Sequence, residues 1–169
     1  MKKIFKYIFA GMAAMSVVAC SEDALETSPS SSVSGNELLG TATNALVSLN
    51  GVYRAMYTAG VSNSSNTHQC FGITAYNLVA DVMGEDCSMN GQGSGWFWYD
   101  CVYNVKSRYT STGWRSYDMW NGYYTWISNV NYILAEEETM SGSETEKNYV
   151  LGQAYAVRAY SYFMLAQMF

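Results

Sequence analysis

Residues 149–169 read YVLGQAYAVRAYSYFMLAQMF, and this stretch constrains the chain more than any other. It contains one arginine and no acid, with an apolar or aromatic side chain at nearly every turn. Tyr155, Arg158, Tyr162, Leu165 and Phe169 recur at three- and four-residue steps, the period of a helix face. Ala156, Ala159, Phe163 and Ala166 form an adjacent stripe. A helix apolar all round must be buried by neighbours on several sides. No Gly, Asn or Pro ends it before Phe169. The expectation is an inner helix of an all-α scaffold larger than these residues supply. Arg158 is then a buried, hydrogen-bonded structural residue rather than a ligand contact.

The same period recurs upstream. Ser143-x-x-Glu146 has capping-box spacing and opens this last helix. Before it, Trp120, Tyr123, Tyr124, Ile127, Val130, Asn131 and Leu134 predict a long helix from about Ser116 that frays at Glu136–Glu138, where acids oppose the helix dipole. Two long helices joined by so short a turn pack antiparallel. Ile73, Tyr76, Ala80 and Met83 predict a shorter helix over 73–83, ended by Gly84. Leu39, Ala42, Leu46, Leu49, Tyr53, Met56 and Tyr57 predict another, over 38–57, opened by Ser34-x-x-Glu37. Gly40 weakens its start by about 1 kcal/mol, and Gly51 would permit a close approach. Residues 58–72 read as a loop.

The first twenty residues differ in kind. Lys2, Lys3 and Lys6 precede an apolar core from Tyr7 to Ala19, long enough for a signal peptide and too short to span a bilayer. Val17-Val18-Ala19-Cys20 resembles the lipobox of bacterial lipoproteins. That resemblance implies cleavage before Cys20 and its conversion to a lipidated N-terminus. A diacylglyceryl thioether and an N-acyl chain of the palmitate kind would supply enough acyl chain for stable anchoring. Ser21-Glu22-Asp23 resembles the acidic export tag of Bacteroidetes surface lipoproteins. Residues 20–36 are Ser-rich with the lone proline, Pro29, and read as a solvated tether. The division is therefore signal peptide 1–19, tether 20–36 and helical domain 37–169.

Charge and cysteine content exclude several classes. The formal net charge is −5, and loss of the three leader lysines takes it to −8. Nucleic-acid binding needs a basic patch, so it is not expected. His68 is the only histidine, and Cys20, Cys70, Cys87 and Cys101 contain no C-x-x-C pair, so neither a structural zinc site nor any cofactor is expected. Once Cys20 is set aside, three cysteines allow at most one disulfide, and small buried apolar thiols are the simpler reading. Asp81, Glu85 and Asp86 cluster at a helix end, but Ser88 stands where a calcium loop beginning at Asp86 needs a carboxylate or amide. One helical turn between Asp81 and Glu85 does not set the separation that glycoside hydrolysis requires. A hydrolase built on Asp81, Glu85 or Asp100 is thus the weakest reading.

The chemistry concentrates between Trp96 and Trp114. Trp96-Phe97-Trp98-Tyr99 follows the flexible Gly91–Gly95, with Tyr103, Tyr109 and Trp114 beyond it. Aromatic faces stack on the apolar faces of pyranose rings, and Asp100, Asn104, Arg108 and Arg115 could hydrogen-bond sugar hydroxyls. Neighbouring rings in an extended chain face opposite sides, so one face packs inward and the other is available. Trp96, Trp98, Tyr99 and Arg108 are the candidate ligand contacts.

Trp120-x3-Tyr124-x2-Ile127-x3-Asn131-x-Ile133-Leu134, then Gln153-Ala154 and Arg158-Ala159-Tyr160-x-Tyr162-Phe163-x-Leu165, resembles the SusD/RagB family. Leu49-Asn50-Gly51-Val52-Tyr53 and Asp81-x2-Gly84-Glu85-Asp86 resemble its N-terminal region. The resemblance implies an all-α scaffold of tetratricopeptide-like helix pairs with long aromatic-rich loops. It also implies a surface lipoprotein of the outer membrane, without enzymatic activity, that binds a glycan or other nutrient. Its expected partner is a SusC-like TonB-dependent transporter, to which it hands that ligand. Family members usually run to several hundred residues, so this chain is expected to supply the N-terminal part, an incomplete SusD-like scaffold. The alternative is a lipid-anchored helical-repeat scaffold that binds a protein partner.

Overall fold

Thr41 opens the first helix by a side-chain cap. Its backbone is extended and its hydroxyl accepts from the Asn44 amide at 3.1 Å, which satisfies one of the donors a helix start leaves free. The computed structural model describes residues 38–58, 67–84, 87–102 and 109–169, all within the unit Gly35–Phe169. The signal peptide, Cys20, the tether, Ser34, Glu37, Glu85, Asp86, Tyr103, Asn104 and Arg108 lie outside the described residues.

Five α-helices stand among the described residues: α1 (Ala42–Ala55), α2 (Ile73–Met83), α3 (Trp98–Cys101), α4 (Trp114–Ala135) and α5 (Glu144–Met168), with a 3-10 turn at Thr67–Gln69. No strand occurs among them, so the fold is all-α as the periodicity predicts. The α4–α5 turn carries the expected capping box: Ser143 accepts from the Glu146 amide, and the Glu146 carboxylate accepts from the Ser143 amide. The Ser143 hydroxyl, which donates to the Glu146 carboxylate at 2.7 Å, and then the Ser143 amide hold that carboxyl below its usual range.

Contacts fix the helix directions. Along α4 the partners Trp120, Tyr124, Asn131 and Glu137 meet Phe169, Tyr162, Arg158 and Tyr155 in descending order, so α4 and α5 are antiparallel. α1 packs against both. Its start is clipped to the α4–α5 turn: Ser141 donates its amide and its hydroxyl to the Gly40 carbonyl, both at 2.9 Å, and Ala42 donates its amide to the Ser141 carbonyl. This diversion of the Gly40 carbonyl interrupts the helix expected over 38–57, leaving Leu38 and Leu39 helical before the break.

The buried face of α1 is Ala42, Ala45, Leu49 and Val52. Gly51 instead faces open space, so the close approach expected there does not occur. It occurs at Gly122, where a Cβ would lie 2.4 Å from the Tyr76 hydroxyl. α2 matches its predicted bounds, but its inner face is Ile73, Ala75, Tyr76, Val79 and Val82, with Ala80 exposed. It starts at Gly72, whose φ of 70° and closeness to the Met56 carbonyl leave no room for a side chain.

α5 departs furthest from its expected packing. Val150, Leu151, Ala154, Val157, Ser161 and Leu165 are its buried residues. Tyr155, Tyr162, Phe163 and Phe169 are exposed, as are Ala156, Ala159 and Ala166. One narrow stripe, small at Ala154 and Ser161, meets α1 and α4. Arg158 donates to Asn131 Oδ1 at 3.0 Å and lies over the Tyr155 ring, hydrogen-bonded as expected but half-buried rather than buried.

The core around α4 holds Tyr76, Tyr123 and Trp126 together, their ring centroids 5.0 to 6.1 Å apart. Asp118 lies among them fully buried. Its carbonyl accepts from the Tyr76 hydroxyl at 3.0 Å, while neither carboxylate oxygen has a hydrogen-bond partner among the described residues. A buried polar group without a partner opposes folding. Asp118→Leu removes the unpartnered oxygens from the buried position. It is expected to raise stability by about 1–3 kcal/mol, read as a higher melting midpoint. A fall in the midpoint would mean the carboxylate is satisfied in solution.

Candidate functional site

The aromatic segment folds as a turn rather than an extended strand. Gly95 has φ 86° and Phe97 φ 56°, the one positive φ outside glycine among the described residues. Trp98 then begins the single turn of α3. This geometry separates the rings. Phe97 is buried, with its ring edge against Phe71 at 6.0 Å. Trp98 is half-buried. Trp96 is 49 % exposed and Tyr99 44 %. The division into an inward and an outward face therefore holds, although a left-handed residue produces it rather than strand alternation.

Arg115, at the start of α4, joins the turn to the rest of the molecule. It is 3 % exposed. Its guanidinium pairs with Asp100 Oδ2 at 2.8 Å and donates to the Gln69 carbonyl at 2.7 Å. It lies 4.2 Å from the Trp114 ring centre and 5.1 Å from that of Phe97. The other oxygen of Asp100 accepts from the Tyr109 hydroxyl. Burial, and then this bond to Asp100, pushes the Tyr109 hydroxyl above its ordinary pKa. Gln69 Oε1 accepts from the Phe97 amide at 2.9 Å. His68, its neighbour, packs against Trp96 with ring centroids 5.1 Å apart.

A cleft of about 160 Å³ remains between Gln69, Gly95, Tyr99, Asp100, Tyr109, Trp114 and Arg115. It is smaller than a pocket for a drug-sized ligand, and the exposed Trp96 and Tyr99 extend the surface around it. Of the four candidate contacts, the structure brings Trp96, Trp98 and Tyr99 onto one turn, and Arg108 lies outside the described residues. Asp100 and Arg115 are not free for sugar hydroxyls, because each neutralises the other out of solvent. His68 and Gln69 were not legible as site residues. They fall in a stretch that reads as a polar loop, and their role depends on contacts 28 or more positions away.

The remaining acids and thiols are dispersed. Asp81 stands exposed on α2, and no group of three or more His, Cys, Asp or Glu among the described residues could hold a metal ion. Cys70 is buried, Cys87 exposed and Cys101 half-buried, and no disulfide joins them among the described residues. The expectation of buried thiols thus holds for Cys70 and fails for Cys87. A second aromatic surface runs along the outer α4–α5 seam, where Trp120, Tyr124, Tyr162 and Phe169 are each more than one-third exposed. No described helix is long and apolar enough to cross a membrane.

The SusD-like family, described as starch-binding associating with outer membrane, matches residues 73–169. The match begins at the first residue of α2 and takes in the aromatic turn, α4 and α5. The chain belongs to the SusD-like family. No curated protein and no solved structure matches it. The stretches around Trp120–Leu134 and Gln153–Leu165 lie inside the SusD-like match, whereas Leu49–Tyr53 on α1 precedes it. Membership places the chain with glycan-binding proteins that associate with the outer membrane. The exposed rings of the aromatic turn are of a kind that stacks on apolar faces, and the buried Arg115–Asp100 pair beneath them is internal to the scaffold.

Proposed function

We propose that this SusD-like chain captures a glycan or similar nutrient at the cell surface and passes it to a SusC-like TonB-dependent transporter. Residues 1–19 are removed, Cys20 carries the lipid anchor, and residues 20–36 tether the helical domain to the outer membrane. Binding breaks no bond in the ligand. Trp96 and Tyr99 stack on sugar rings, Trp98 supports them, and Arg108 supplies hydrogen bonds to hydroxyls. The observation that carries this reading is the solvent exposure of Trp96 and Tyr99 on a turn braced from beneath by buried Arg115. Large rings held rigid and exposed lose little conformational entropy on binding.

The test uses the full lipoprotein in detergent, run through gels containing soluble starch and screened on a glycan array. Retarded migration, or a defined set of bound glycans, is expected. Unretarded migration together with an empty array would overturn the glycan reading. Delivery is tested separately, by co-purification of a TonB-dependent barrel from native membranes. The exposed α4–α5 seam favours a second reading, a scaffold for a protein partner. Under that reading the seam, and not Trp96, governs binding.

A further inference from the structure

Trp96 and Tyr99 sit on a segment with little regular structure of its own. α3 has four residues, and a single helical turn is not stable in isolation. Phe97 is held at positive φ, which a bulky residue adopts only when its surroundings impose it. Those surroundings converge on Arg115. One guanidinium nitrogen reaches the Gln69 carbonyl, another reaches Asp100 Oδ2, and Nε lies 3.4 Å from Asp100 Oδ1. Its flat faces lie near the rings of Trp114 and Phe97. Through these contacts one side chain relates the 3-10 turn, the aromatic turn and the start of α4. Tyr109 adds a fourth segment through Asp100.

Energetics separate position from stability. Both side chains of the pair are nearly inaccessible, at 4 % and 7 % exposure. Desolvation offsets much of the attraction in such a pair, and apolar residues can often replace it without loss of stability. Apolar residues would not set the register of Gln69 against Asp100, because they carry no directional bonds. Lysine would keep the charge but lose the planar fork.

We infer that Arg115 is the positioning residue of the aromatic platform, fixing where Trp96 and Tyr99 stand relative to each other and to the cleft. The inference rests on the proposed glycan binding at that turn. His68 and Gln69 are the platform's second wall, brought to it by the same guanidinium.

The test compares Arg115→Met, Arg115→Lys and the double variant Asp100→Leu/Arg115→Met with the unsubstituted full lipoprotein. Three quantities are read: amide hydrogen exchange, melting midpoint and affinity for soluble starch. In Arg115→Met, exchange across 95–102 is expected to quicken at least tenfold, while α4 and α5 stay within about twofold beyond their first turns. Starch affinity is expected to fall at least tenfold. Arg115→Lys should give the same pattern at smaller size, and it carries the test if the Met variant does not fold. The double variant should regain the melting midpoint but neither the slow exchange nor the affinity.

Unchanged exchange across 95–102 in both single variants would overturn the inference. So would recovery of affinity alongside the melting midpoint in the double variant, which would make the pair merely stabilising. Wild-type affinity in a variant whose turn exchanges rapidly would overturn it too. If the unsubstituted protein binds no glycan while exchange responds as expected, the glycan reading fails and the positional role of Arg115 stands.

Discussion

Trp126→Ala is expected to lower the stability of the helical unit by about 3–5 kcal/mol. That is a large share of the 5–15 kcal/mol typical of a folded domain. The indole is fully buried, with the Tyr123 ring edge-on at 5.0 Å and Tyr76 at 6.1 Å. Truncation removes one of the ring contacts between α2 and α4 and opens a cavity that Gly122 cannot help to fill. Collapse is hindered because Tyr76 is already held at the Asp118 carbonyl. Trp126→Phe should cost much less. It retains most of the ring volume, and the indole N–H it removes has no hydrogen-bond partner among the described residues. Urea unfolding followed by far-ultraviolet circular dichroism reads both. A loss below about 1 kcal/mol for the alanine variant would mean that the three rings do not form one packed unit.

Trp96→Ala is expected to weaken glycan binding by about tenfold to a hundredfold, or roughly 1.4–2.8 kcal/mol, without changing the melting midpoint. The two halves of that expectation have separate grounds. Half of the Trp96 surface is in solvent, so its truncation opens no cavity in the core. One side of its ring is backed by His68, which leaves the other for a ligand and limits the motion that binding must arrest. Starch or array ligands titrated against the variant provide the check. Retained affinity would move the site away from the turn, with the α4–α5 seam next to test by Trp120→Ala.

The helices themselves were legible because their boundaries are local chemistry. Gly84 ends α2, the Ser143–Glu146 box starts α5, and three consecutive glutamates follow the end of α4. Each signal acts within four residues. The buried faces were legible only where apolar and polar residues alternate at helical period. α5 lacks that contrast, and the stripe that its neighbours bury is aliphatic or small, while Tyr155, Tyr162, Phe163 and Phe169 stay exposed. Ala154 and Ser161 allow helix axes to approach, while Tyr162 and Phe169 meet α4 along its exposed seam. Trp126 was not among the residues read as the core stripe of α4, although it fits the period through Tyr123 and Val130. Asp118 carried no sign of burial, since a carboxylate reads as surface.

The site divides along the same line. An aromatic block after a glycine-rich run marked the turn, and three of its four candidate contacts lie on it. The support beneath it was invisible. Asp100 and Arg115 are fifteen positions apart with no shared element, so each alone reads as a free polar group beside aromatic rings. The left-handed Phe97 has no local cause either. It follows from bonds to Gln69, which comes from a different part of the chain.

The clip between Gly40 and Ser141 has an architectural consequence. α4 runs from the aromatic turn at its start to the clip at its end, and its 22 residues span roughly 30 Å. The described chain therefore enters the fold at the pole opposite Trp96 and Tyr99. The length of α4 thus separates the aromatic turn from the start of the described chain, so a bulky label attached at Leu38 is expected to leave hydrogen exchange across the turn unchanged.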